Sequence, residues 1–221
     1  MNEMILHTRQ LESNDWATFI FLVSLILIAV VSNVYEKRFS DFLRLGISDK
    51  YVKVYRESSN LVSGFNILLF VLQLISLSFF IQLFISAAGM GSKTDWILFV
   101  RIFTLTTSFV LIKFLIDKII ALTFNIEEFA EMFNLRKITY RTYFGLLLLP
   151  ISFGLFFYSS VNFSIYLIVL ALFLLANALI YLASLKNYQK FLSGKLFYFI
   201  LYLCALEIAP YYFMYYWFTK S

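Results

Sequence analysis

The chain has 221 residues, of which 62% are hydrophobic and 20% aromatic, whereas only 14% are charged. A soluble domain carries about 25% charged residues, so a chain this apolar is not expected to hide its hydrophobic side chains in one water-soluble core. The net charge of +5 is better explained by membrane topology and contact with anionic headgroups than by nucleic-acid binding.

Six apolar runs follow one another along the chain, each near the ~20 residues that a helical span needs. These runs are continuous and the chain has only two prolines and seven glycines, which favours helices over a membrane β-barrel. We therefore predict an all-α fold, a polytopic membrane helix bundle with about six transmembrane helices in one integral-membrane domain over residues 1–221. The predicted spans cover residues 16–35, 61–88, 96–120, 142–158, 162–185 and 196–218.

Three polar segments between the spans are predicted to be cytoplasmic, and the first two have short amphipathic stretches. Residues 36–60 contain an apolar face, ended by Gly46, that is expected either to lie on the membrane surface or to belong to an ordinary loop. That face consists of Phe39, Phe42, Leu43 and Leu45. Residues 121–141 have the pattern of an amphipathic helix, which either extends the third span or lies at the interface. Residues 186–195 form a basic loop.

Polar side chains within the second span indicate contact with protein rather than lipid, and charged side chains lie within the third span. Asn66, Gln73 and Gln82 are seven and nine residues apart, so they fall broadly on one side of the second helix. Lys113 and Asp117 are four apart in the third span and are able to pair along it. Because Lys113 is the deeper of the two charges, it needs a partner or water more strongly.

The distribution of basic residues predicts the orientation. Fourteen of the eighteen Lys and Arg residues fall in or beside the loops that follow the first, third and fifth spans. Since cytoplasmic loops carry the excess of basic residues, we expect these three loops to be cytoplasmic and both termini to lie outside the cytoplasm.

Three short motifs suggest a family. Asn14-Asp15-Trp16 precedes the first span, Lys37-Arg38-Phe39 follows it, and LYLCALEIAP occupies residues 201–210. In these features the chain resembles an integral-membrane family of Bacteroidetes that is described as a domain of unknown function. The resemblance covers nearly the whole chain and implies the inner membrane of a Gram-negative bacterium. It implies no activity, cofactor or catalytic residue.

The sixth span carries the chain's most conspicuous intramembrane acid. Glu207 lies about 16 Å along the helix axis from the start of the span, close to the bilayer midplane. Pro210 cannot donate a backbone hydrogen bond, and Tyr211 shares the face of Glu207. We interpret Glu207 either as a proton-binding or ion-binding carboxylate or as a structural acid that fastens helices together. The candidate functional or helix-fastening residues are Glu207, Lys113, Asp117, Gln73, Asn177, Tyr211 and Pro210.

No common catalytic or metal-binding motif is present. The chain has one cysteine, Cys204, and one histidine, His7, so we predict no metal site, cofactor or catalytic residue. We expect a non-enzymatic scaffold or accessory subunit of an envelope or secretion assembly, in contact with the bilayer and with either another membrane protein or a second copy of itself. The alternative is a small transporter or channel that uses Glu207. The hypothesis of a lipid-modifying enzyme has less support than either of these. The only acidic cluster in the sequence, Glu127, Glu128 and Glu131, has the pattern of a solvated helix face.

Overall fold

The computed structural model describes residues 15–46, 51, 54, 63–123, 127–158 and 161–192, and all the regular structure in these residues is helical. The helices are α1 (Asp15–Val34), α2 (Glu36–Leu43), α3 (Gly64–Ala87), α4 (Trp96–Thr123), α5 (Glu127–Phe157) and α6 (Phe163–Leu192), and a 3-10 turn over Arg44–Gly46 follows α2. The predicted all-α fold is confirmed. Five of these helices are long and apolar enough to cross a membrane, and the sixth predicted span, 196–218, lies outside the described residues.

Helix α3 is the central element of the described bundle. It packs most extensively on α5, and it also contacts α4, α1 and α6. In its most apolar stretch 61% of the residues are buried, against 22% in α1 and in α4 and 6% in α6. Because α3 is enclosed by other helices, its side chains face protein on several sides, whereas α6 leaves most of its surface to the surroundings.

Local chemistry explains where α3 ends and α4 begins. Gly89 follows the end of α3 with φ of 78°, a left-handed conformation that glycine adopts without a steric penalty. At the start of α4, Asp95 Oδ1 accepts hydrogen bonds from the backbone N–H groups of Ile97 at 2.9 Å and Leu98 at 3.3 Å. This side-chain cap satisfies two donors that have no partner within the helix.

The predictions for the polar segments need correction. Residues 127–141 are continuous with the fourth predicted span in α5, so they are neither an extension of the third span nor a separate interfacial helix. No Pro or Gly interrupts this stretch, and Pro150 lies inside α5 without ending it. The predicted basic loop at 186–195 is helical as far as Leu192, because α6 continues beyond its predicted end.

The apolar face after the first span packs into the protein. Phe39, Phe42 and Leu45 are buried in the hydrophobic core, and only Leu43 of the four predicted residues is exposed. The ring of Phe42 makes edge contacts with Phe65 of α3 at 5.9 Å and with aromatic rings from two other segments. The expectation of a membrane-surface face or an ordinary loop was therefore wrong: α2 and its turn close one end of the bundle.

Candidate functional site in the polar interior of the bundle

Arg38 of α2 is the centre of a polar and aromatic junction at one end of the bundle. Its Nε donates to the Tyr51 hydroxyl at 3.2 Å, its Nη1 to Ser63 Oγ at 3.3 Å and its Nη2 to Asn66 Oδ1 at 3.4 Å. The guanidinium also lies over the Phe65 ring, 4.7 Å from the ring centroid. Because a planar guanidinium offers several donors in a fixed geometry, one side chain fastens α2 to the start of α3.

Gln73, one of the predicted candidate residues, lies buried where α3 crosses α5. Its Oε1 accepts a hydrogen bond from Thr142 Oγ1 at 3.2 Å. The helices approach closely at this point, since a Cβ built on Gly145 would lie 2.5 Å from Gln73 Cγ and 3.1 Å from its Cα. Small residues permit such close crossings between membrane helices. Gln73 therefore belongs to a tight helix–helix contact.

A small cavity adjoins these two contacts. It has a volume of about 20 Å³ and lies between α2, α3 and α5, with Tyr51, Asn66, Thr139 and Thr142 contributing the polar part of its wall. A cavity needs about 10–15 Å³ to hold one water molecule. This space therefore accommodates a single water and is too small for a substrate.

Gln82, at the other end of α3, fastens the segment that connects α3 to α4. Its Nε2 donates to the carbonyl oxygens of Asp95 at 2.9 Å and of Ser92 at 3.4 Å. The indole N–H of Trp16 donates to the Thr94 carbonyl at 3.0 Å. The connecting segment, residues 88–95, is thus tied to both α1 and α3, and Gln82 is buried as the sequence spacing predicted.

Lys113 and Asp117 are both buried, with 8% and 6% of their surfaces exposed. They share one face of α4 with Val110 and Ala121, which are also buried, at spacings of three and four residues. This face of α4 packs against the protein, whereas the other faces of the helix expose apolar side chains. The structure therefore places the predicted charged pair inside the bundle.

The remaining predicted residues do not assemble with these groups in the described part of the chain. Asn177 donates from Nδ2 to the Phe173 carbonyl of its own helix at 2.7 Å. Glu207, Pro210 and Tyr211 lie outside the described residues, so their roles stay predictions. Within the described ranges no group of three His, Cys, Asp or Glu residues is placed to hold a metal ion.

Sequence reasoning missed three polar residues of this interior. Arg38 was treated only as a topology signal and as part of a family motif, although an arginine close to a span with aromatic residues nearby in the sequence indicates a packing role. Thr142 was assigned only as the start of the fourth span. Lys93 was not singled out, yet its Nζ donates to the Phe156 carbonyl at 2.9 Å across 63 positions of sequence, a contact that no local pattern predicts.

Comparison with known proteins identifies the family. The model of the family DUF4271, a domain of unknown function, matches residues 17–218. The chain belongs to that family, as the resemblance predicted in part; the distribution among Bacteroidetes stays a prediction. Neither the search of curated proteins nor the search of solved structures gave a match.

Proposed function

We propose that this member of the DUF4271 family is a non-enzymatic integral inner-membrane protein that serves as a scaffold or accessory subunit of an envelope or secretion assembly. The observation that carries the proposal is that polar side chains in the interior hold helices and a connecting segment together. Arg38, Gln73 and Gln82 are engaged in contacts that join helices or fix a connecting segment, and the cavity beside the first two has room for one water. Such an interior supports a fixed shape better than a path or a reaction chamber.

The outer surface supports the same proposal. Helices α1, α4 and α6 expose long apolar faces, including Phe19, Leu105 and Leu179, each more than 60% exposed. Lipid tails solvate such faces without cost, and another membrane helix packs on them through van der Waals contact. A small protein with these faces is suited to hold partners side by side in the bilayer.

The expected orientation places α2 in the cytoplasm. The C-terminus of α1 and the N-terminus of α3 lie at the α2 end, which carries Lys37, Arg38 and Arg44. The connecting segment at the opposite end carries Lys93 as its single basic residue. The excess of basic residues on the α2 side supports a cytoplasmic position for it.

The rival proposal is a small transporter or channel. It is favoured by one observation, the burial of Lys113 and Asp117 inside α4, because intramembrane charges often mark ion pathways. In this proposal Glu207 would supply a titrating carboxylate at the midplane. Its distinguishing expectation is that the isolated protein moves protons or ions without a partner.

Copurification tests the scaffold proposal. The full chain, tagged and produced at its native level, is crosslinked in cells, extracted in mild detergent and quantified together with the proteins that accompany it. We expect a membrane protein in fixed stoichiometry, and we expect the same partner when the tag is moved to the other terminus. A chain recovered alone at 26.0 kDa, with and without crosslinking, would contradict the proposal.

A further inference from the structure

An open cleft lies at the end of the bundle opposite α2. It has a volume of about 390 Å³ and is bounded by the end of α3, the connecting segment 88–95, the end of α5 and the first turn of α6. The polar residues of its wall are Ser86, Ser92, Lys93, Tyr158 and Tyr166. Its volume falls within the ~300–1,000 Å³ that is typical of sites for small ligands.

Lys93 supplies positive charge to this cleft. Its Nζ donates to the carbonyl oxygens of Phe156 at 2.9 Å and Tyr158 at 3.3 Å, which holds the ammonium beside the C-terminus of α5. An ammonium group has three N–H donors, so one donor remains for a ligand. Among the described residues that line the cleft, none is acidic.

Tyr166 supplies a second donor from the other wall. Only 6% of this residue is exposed, yet it lines the cleft. Within the described residues its hydroxyl makes no hydrogen bond, and the hydroxyl oxygen is not one of the fully buried atoms that lack a partner, so it is open to the cleft. The side chain belongs to the first turn of α6, and a helix N-terminus favours a negatively charged ligand. A ligand that accepts hydrogen bonds and carries negative charge fits both walls.

The surroundings of the cleft match the membrane interface. Tyr158, at its rim, is 64% exposed, and Trp96, at the start of α4, is 48% exposed; both residue types are enriched at the boundary between lipid and water. In the first two turns of α6, next in sequence to Tyr166, the side chains of Phe163, Leu167 and Ile168 are exposed. A ligand with a polar head in the cleft would lay its apolar tail along this face.

From these observations we propose that the cleft binds the phosphodiester group of an anionic phospholipid in the leaflet on the side of residues 88–95. Lys93 donates a charge-assisted hydrogen bond to a phosphate oxygen, and the Tyr166 hydroxyl donates to the same headgroup. The acyl chains lie on the exposed face of α6. The proposal requires only that the helices cross a membrane, so it is independent of the scaffold role.

Native mass spectrometry of the purified full chain in detergent, titrated with phosphatidylglycerol, tests the proposal. Charge-assisted hydrogen bonds are roughly twice as strong as neutral ones, so we expect Lys93→Gln to weaken binding by about tenfold and Tyr166→Phe by about threefold. Lys93→Arg keeps the charge and should retain most of the affinity. Arg101→Gln is the matched control, because Arg101 is an exposed cation of α4 that does not line the cleft.

The ligand series distinguishes the possible sources of the phosphate. We expect diacylglycerol, which lacks the phosphodiester, to bind at least about tenfold more weakly than phosphatidylglycerol, and we expect millimolar glycerol phosphate not to compete. Effective competition by glycerol phosphate would show a site for a soluble phosphate and overturn the lipid assignment. The lipid assignment would also be overturned if Tyr166→Phe bound phosphatidylglycerol as tightly as the wild type. The same holds if Arg101→Gln and Lys93→Gln lost equal affinity for phosphatidylglycerol. Because Tyr166→Phe removes only a hydroxyl, this comparison stays valid even if Lys93→Gln loosens the end of α5.

Discussion

The crossing of α3 and α5 makes a quantitative prediction at Gly145. An alanine there would place its Cβ 2.5 Å from Gln73 Cγ, 2.9 Å from its Cβ and 3.1 Å from its Cα. The Cα atom belongs to the backbone, so a rotamer change of Gln73 does not relieve the contact, and the two helices have to separate. Separation also lengthens the hydrogen bond from Thr142 to Gln73, which is 3.2 Å in the native arrangement.

The expected magnitude follows from three contributions. Overpacking a well-filled contact costs about 1–3 kcal/mol, and the loss of an interhelical hydrogen bond in a membrane protein costs roughly 0.6 kcal/mol. Replacing glycine by alanine inside a helix stabilises the folded protein by about 1 kcal/mol. Together these contributions predict that Gly145→Ala lowers the free energy of unfolding by about 0.6–2.6 kcal/mol.

Gly154 provides a matched control in the same helix. A Cβ built on Gly154 meets no atom within 4 Å, so Gly154→Ala should raise the free energy of unfolding by up to about 1 kcal/mol. Both variants are measured by unfolding the purified protein in mixed micelles with increasing fractions of a denaturing detergent. Equal changes in the two variants, or a more stable Gly145→Ala protein, would refute the close α3–α5 crossing.

Three further predictions concern the two ends of the bundle. Arg38→Lys keeps the charge but loses the forked donor geometry, so amide hydrogen exchange in α2 should accelerate while exchange in α4 does not. The control is Arg44→Lys, because Arg44 is exposed. Equal acceleration in the two variants would contradict the role of Arg38. Gln82→Met should release the connecting segment 88–95 and make it more sensitive to protease, at a cost of about 0.6–1.7 kcal/mol; unchanged cleavage would contradict the role of Gln82. In a background lacking Cys204, a membrane-impermeant maleimide should label Ser92→Cys in intact spheroplasts and Ser40→Cys only after permeabilisation, and the reverse pattern would contradict the orientation.

Much of the fold was predictable because long apolar helices can be recognised from the local sequence alone. Apolar runs of the required length mark the spans, and the spacing of Gln73 and Gln82 correctly placed both side chains toward protein. These inferences need only the helical repeat and the cost of exposing amides to lipid. They depend on no contact between distant parts of the chain.

The errors arose where distant contacts decide the structure. The face of α2 was expected either at the membrane surface or in an ordinary loop, but aromatic partners from α3 and α5 bury Phe42. The sequence predicted that residues 127–141 are helical, but it did not predict that they continue into the fourth span. Neither the junction with the third span nor the junction with the fourth contains a Pro or Gly that would end a helix. The capping of α5 by Lys93 depends on two carbonyl groups that the sequence does not place near it.

The central claim is that the polar interior fastens helices and does not conduct. The most direct measurement is proton and ion flux into liposomes that contain the purified full chain alone, with empty liposomes as the reference and Glu207→Gln as the paired variant. We predict that the wild type and the Glu207→Gln variant leave flux at the level of empty liposomes. A flux well above that level that disappears in Glu207→Gln would contradict the account and establish the transporter alternative.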